Sequence, residues 1–129
     1  MTDPIADLIT RIRNAYLAKH QQVSLPHSGL KEVLAKKLQS MGYLDNVKVD
    51  DEGKFKIIIA GLVYQDKLPV LTEIKRISKP GRRVYLRKSE VKSTLSGHGA
   101  TIISTSNGIL TDKEARKMGL SGEVICQVW

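Results

Sequence analysis

Three consecutive hydroxyl side chains, Ser104, Thr105 and Ser106, stand just before the turn dipeptide Asn107-Gly108. Two chemistries could use them. A serine is a nucleophile when a base is set against it, whereas small hydroxyls beside exposed backbone amides can hydrogen-bond a sugar-phosphate backbone and base edges. No nucleophile-elbow pattern surrounds Ser104 or Ser106, and spacing places no His/Asp partner, so binding is the better reading. The plain alternative is that the hydroxyls only satisfy their own turn. Downstream, Gly119 and Gly122 supply a helix stop and a bend before Glu123. A carboxylate facing RNA would be repelled by phosphates, so it would serve to accept from a base amino group or to orient an arginine.

Charge points the same way. The chain has 129 residues, with 21 Lys plus Arg against 13 Asp plus Glu, a net charge of +8. Residues 1–69 are net +2 and residues 70–129 net +6. Lys75 to Lys92 alone hold eight basic residues, Arg83 and Arg87 among them, with Glu90 the one acid. Without alternating sign such a run cannot neutralise itself, and it suits phosphate contact more than a merely solvated face. Tyr85 lies inside it, as a half-buried strand residue or as a ring that stacks on a base or ribose. Phe55, Trp129 and four tyrosines are too few aromatics for a broad stacking platform. Recognition should therefore use backbone shape, 2′-hydroxyls and a few base edges, as on a folded RNA helix with an irregular internal loop. His20, His27 and His98 show no metal-ligand spacing, and no cofactor is implied. The single Cys126 reads as a small buried hydrophobe. No apolar run suits a membrane span and no signal pattern opens the chain, so a soluble, reducing compartment is expected.

The elements that must position these residues can be read from periodicity. Asp3 caps and Pro4 opens a first helix, with Ile5, Leu8, Ile9, Ile12 and Tyr16 on one stripe and Arg13 and Asn14 away from its centre. Val23–Leu25 is a strand ended by Pro26. Ser28 caps a second helix with Leu30, Val33, Leu34, Leu38 and Met41 buried, Lys31, Lys36 and Lys37 on or near its polar side, and Gly42 at its end. A hairpin follows, with Val47 and Val49, then Phe55, Ile57 and Ile59, alternating with polar residues about the turn 50–53. These elements predict two helices over a three-stranded sheet at residues 1–64. After the break at 61–69, residues 65–129 should form a compact β-rich domain. Its expected strands are 70–78, 84–86, 100–106 and 124–128. A helical stretch is expected at 89–95, a loop at 97–99, and a helix from Thr111, which makes a capping box with Glu114. The fold class is α/β (α+β).

Four segments, in order along nearly the whole chain, resemble the bacterial form of one family, that of the eighth protein of the small ribosomal subunit. They are 3–15 (DPIADLITRIRNA), 78–85 (SKPGRRVY), 104–112 (STSNGILTD) and 119–126 (GLSGEVIC). Asn107 stands where many members carry lysine, which removes a possible phosphate contact, and Ser121 where many carry a second glycine. The resemblance implies direct, early binding to the central domain of small-subunit (16S) rRNA, organisation of the platform, and contact with small-subunit proteins five and twelve. It places Glu123 at the RNA surface beside the hydroxyl turn. It also implies a monomer when free, residing in the cytoplasm within the small subunit, and several members repress their own mRNA.

The candidate RNA-binding residues are therefore Ser104, Thr105, Ser106, Asn107, Gly108, Tyr85, Gly122, Glu123, Arg83 and Arg87. Lys31, Lys56, Asp3, Pro4, Arg13 and Asn14 complete the set. One rival reading is another basic nucleic-acid module, such as a DNA-binding one, although the strand between the first two helices argues against a helix-turn-helix. The other is a small hydrolase using Ser106 or Cys126, for which no general base can be placed.

Overall fold

The computed structural model describes residues 3–86 and 99–129. They fall into two compact units, Met1–Leu71 and Thr72–Trp129.

In the first unit, α1 (Pro4–Leu17) starts where the Asp3 carboxylate accepts from the Ala6 N–H. Its Ile5, Leu8, Ile9, Ile12 and Tyr16 are all buried. Strand β1 (Gln22–Pro26) leads to α2 (Gly29–Ser40), capped by Ser28 and stopped where Gly42 takes φ +87°. Strands β2 (Leu44–Asp50) and β3 (Ile57–Leu62) complete an antiparallel sheet of order β1-β3-β2, against which both helices pack.

Two expected faces are turned. On α2 the buried residues are Lys31, Leu34, Ala35 and Leu38, while Leu30 and Val33 are 39% and 49% exposed. Lys31 is thus not on the polar side. Its Nζ donates to Asp7 Oδ2 at 2.7 Å and to the Pro26 carbonyl at 3.2 Å. Asp7 also receives Arg11 Nε at 2.9 Å. Burial of Asp7 opposes its ionisation, but Lys31 and Arg11 outweigh it and hold the carboxyl below its ordinary range. On β3 the buried residues are Ile58, Ala60 and Leu62 rather than Ile57 and Ile59, and Phe55 lies outside the strand, 73% exposed. The register confirms this parity: Leu25 pairs with Ile58 and Val23 with Ala60, placing all four on the core face.

A short hairpin, β4 (Tyr64–Gln65) and β5 (Leu68–Pro69), closes the unit. Its two loop residues, Asp66 and Lys67, both have positive φ, the geometry that matches the twist of paired strands. The unit continues past this hairpin to the buried Leu71.

The second unit contains β6 (Ile74–Arg76), β7 (Tyr85–Leu86), β8 (Ala100–Thr105), β9 (Gly108–Thr111), α3 (Asp112–Met118) and β10 (Gly122–Val128). The sheet order is β6-β10-β8-β9, with β7 also paired to β10. Only Ile74–Arg76 of the expected strand 70–78 is regular. The Thr72 and Glu73 N–H groups both turn to the Trp129 carbonyl, and Ile77 and Ser78 bond β10 where that strand bulges. The capping box is present: Thr111 Oγ1 accepts from Glu114 N–H and Glu114 Oε1 from Thr111 N–H. Ala115 of α3 packs on Ile103, with Leu110 beside them. Gly99, with φ +89°, passes so close to the Val128 carbonyl and Trp129 that a Cβ would collide with both. The helical stretch expected at 89–95 lies outside the described residues, as do Gly97, His98 and Arg87.

Candidate nucleic-acid interface

The central strand β10 brings the candidate residues of the second unit together. Glu123 pairs with Tyr85 of β7 on one side and with Ser104 of β8 on the other. Residues directly opposed across a sheet point to the same face. Tyr85, Glu123 and Ser104 therefore form one row over three strands, although they are far apart in sequence. Tyr85 is 66% exposed, so its ring is open to a stacking partner rather than half buried. Gly122 makes the row possible. A Cβ there would meet the Ser104 carbonyl oxygen head-on, with the Ser104 carbonyl carbon at 2.9 Å and Ile103 Cγ2 at 3.1 Å.

At one end of the row is the β8–β9 hairpin. Thr105 pairs with Gly108, so the two loop residues are Ser106 and Asn107, and Gly108 alone of the turn takes a positive φ of 98°. The run of hydroxyls divides its work. Thr105 Oγ1 accepts from the Asn107 N–H at 3.1 Å and donates to the Gly108 carbonyl at 2.9 Å, so this hydroxyl closes the turn itself. Ser106, Asn107 and Gly108 are exposed at the tip. Among the described residues, the Ser104 and Ser106 hydroxyls have no hydrogen-bond partner, so no base is set against either. Cys126, buried in β10, has its thiol pushed up to about 12 by burial. Neither rival nucleophile is activated.

At the other end is a basic loop. Lys79 and Arg82 exchange backbone hydrogen bonds of 3.0 and 2.9 Å across Pro80-Gly81, with Gly81 at φ +83°. That is the proline-then-glycine order of a type II turn. The loop is fixed from beneath by Ser78, whose buried Oγ accepts from the Val84 N–H at 2.9 Å and donates to the Val84 carbonyl at 3.2 Å. Arg83 emerges beside Glu123, with Nη1 to Oε2 at 3.1 Å. Arg76, whose Nε donates to the Ser78 carbonyl, lies close by. Its burial and the neighbouring Arg83 lower its pKa, while Glu123 opposes that shift. The carboxylate is thus an orienter of guanidinium groups. The sequence reading counted Arg76 only as part of the basic run and missed Ser78, and the signal for its role was the Pro80-Gly81 turn, which folds the basic run back onto its own start.

The candidates in the first unit are described by themselves. Asp3 and Pro4 form the start of α1, Asn14 is exposed, and Arg13 is half-buried on that helix. Lys56 is exposed just before β3. Lys31 is 7% exposed and held by Asp7, so its charge is not offered to an outside phosphate. Among the described residues no group of His, Cys, Asp or Glu is placed to hold a metal ion, and no helix is long and apolar enough to cross a membrane.

Known proteins match this chain throughout. A family model described as ribosomal protein S8 matches residues 3–129. The small ribosomal subunit protein uS8 of Geobacter metallireducens is 54% identical, covering 100% of this chain and 98% of that protein. The proteins of the same name from Citrifermentans bemidjiense and Clostridium novyi are 52% and 50% identical with the same coverage. The hydroxyl hairpin, the row on β10 and the basic loop thus sit in a chain whose full length follows one family pattern, and the chain belongs to the ribosomal protein S8 family.

Proposed function

We propose that this protein is a structural, non-enzymatic constituent of the small ribosomal subunit in the cytoplasm, and that it binds small-subunit rRNA directly. The site is the surface formed by Tyr85, Glu123, Ser104 and the Ser106–Gly108 tip, flanked by the loop that carries Lys79, Arg82 and Arg83. The observation that carries this reading is the single cross-strand row. It sets an exposed ring, an arginine-holding carboxylate and an unpartnered hydroxyl side by side on one face. Hydroxyls and backbone amides suit 2′-hydroxyls and base edges, the arginines suit phosphates, and the ring suits one unstacked base. The target is the central domain, at a helix with an irregular internal loop, and binding there organises the platform. The family resemblance adds contacts with small-subunit proteins five and twelve, and recognition of its own mRNA by the same surface.

The test is chemical footprinting of this protein alone on naked small-subunit rRNA. Protection confined to one helix and its internal loop, weakened by Ser104→Ala, is the expected result. No protection without other proteins present, or protection indifferent to the row, overturns the reading.

A further inference from the structure

The second unit carries another basic surface that the row does not use. Lys113, Arg116 and Lys117 stand at i, i+3 and i+4 on α3, all exposed. Ala115 is fully buried against Ile103 and Asp112 is buried beside it, so Lys113 and Lys117 stand on the outward crest of the helix and Arg116 on its exposed flank. Among the described residues none of the three is ion-paired. Glu114, the acid among them, is engaged in the capping box. The outer side of α3 therefore presents three cations to the one exposed carboxylate of Glu114 within about one helical turn, a net positive patch.

Its position matters as much as its charge. Ile103 points to α3, and Val124 pairs with Ile103. Ser104, one residue on, points to the other face with Glu123 and Tyr85. The α3 surface and the row are thus on opposite faces of one sheet, so the cations of α3 are not part of the face that carries the row. Basic residues near a helix C-terminus complement its dipole, but that effect accounts for Arg116 and Lys117 in the last turn and not for Lys113 in the first.

We propose that the α3 crest is a second phosphate-contacting surface, which engages the backbone of an RNA segment other than the one held at the row, so that this unit ties two RNA segments together. The proposal rests on the RNA-binding reading above. Cations on a helix crest read no base edges, so contact there should be insensitive to sequence and sensitive to salt.

The experiment compares the wild type with K113Q/R116Q/K117Q, whose glutamines keep the helix and its cap. Two RNAs are used: a minimal fragment containing only the segment the wild type protects at the row, and the whole central domain. On the minimal fragment the two proteins should bind alike. On the whole domain the variant should lose protection of a second backbone segment while keeping the first. Between 50 and 200 mM salt, the wild type should lose roughly 10- to 40-fold more affinity than the variant there, by analogy with two or three phosphate contacts on duplex DNA. The charge-preserving K113R/K117R should behave as wild type. Equal binding of both RNAs by wild type and variant would overturn the proposal, as would a matching loss on the minimal fragment. A crest that binds an acidic protein instead, with no second RNA segment protected, would overturn it too. Failure of the wild type to protect the first segment strikes the RNA reading itself and is seen separately.

Discussion

Gly122→Ala is the sharpest single probe of the interface. The added methyl would run into the Ser104 carbonyl oxygen, and the Ser104 carbonyl carbon and Ile103 Cγ2 would lie at 2.9 and 3.1 Å. Two of these three atoms are backbone, so no side-chain rotation relieves the clash. β10 must move away from β8 where Glu123 faces Ser104. Overpacking of this kind costs about 1–3 kcal/mol. Loss of a ladder hydrogen bond adds about 1 kcal/mol. A total of about 2–4 kcal/mol is large against the roughly 5–15 kcal/mol of a typical domain. With a urea slope near ~2 kcal/mol/M, the midpoint should fall by about 1–2 M. The control is Gly29→Ala at the first residue of α2, where a Cβ meets nothing within 4 Å and stability should hold or rise. Urea melts followed by a probe in the second unit measure Gly122→Ala, and the same melts followed by a probe in the first unit measure the control. RNA affinity should fall with Gly122→Ala because the row is pulled apart. A Gly122→Ala protein that melts and binds like wild type would refute the close-approach argument.

Three further outcomes follow from the same geometry. Ser106→Ala should weaken RNA binding by about 1–2 kcal/mol with folding unchanged, whereas Thr105→Ala should loosen the hairpin and be visible in the free protein by amide exchange. Glu123→Gln removes a negative charge, which alone would strengthen RNA binding. If the carboxylate orients Arg83, cognate affinity in a filter-binding or calorimetric titration should instead fall several-fold while non-cognate RNA binds no worse. Asp7→Ala leaves Lys31 buried without its carboxylate and should cost about 3–5 kcal/mol in a denaturant melt, most of it recovered in Asp7→Leu/Lys31→Met. Because the folded pKa of Asp7 is lowered, its contribution is complete above the ordinary carboxylate range and is lost as pH falls below it, so the wild type should lose part of its stability advantage over the double variant there.

Local signals were legible and non-local ones were not. Asp3-Pro4, Ser28, Gly42 and Thr111/Glu114 act through hydrogen bonds that close within four residues, and each marks its helix terminus as its residue type predicts. The face of α2 was misread because hydropathy counts Lys31 as polar, and its reason for being buried, Asp7, lies 24 residues away. The parity of β3 was hidden because Ile57, Ile58 and Ile59 are equally apolar, and only pairing with Val23 and Leu25 decides which faces the core. The hairpin at Tyr64–Pro69 carries no glycine, so nothing in its composition announces two consecutive positive φ values at Asp66 and Lys67. For the interface, residue types were legible and adjacency was not. Tyr85, Ser104 and Glu123 come from three separate stretches, and their meeting depends on register along β10.

Cys126 gives that strand a clock. A thiol reacts as its thiolate, and a group whose pKa stands near 12 in a buried strand is almost never ionised at neutral pH. Alkylation therefore has to wait until β10 leaves the sheet. The rate at which an alkylating reagent labels this chain reports how often the strand bearing Glu123 detaches, with no tag or substitution needed. If RNA seats on the row as proposed, it ties β7, β10 and β8 together, and labelling should slow as the bound fraction rises.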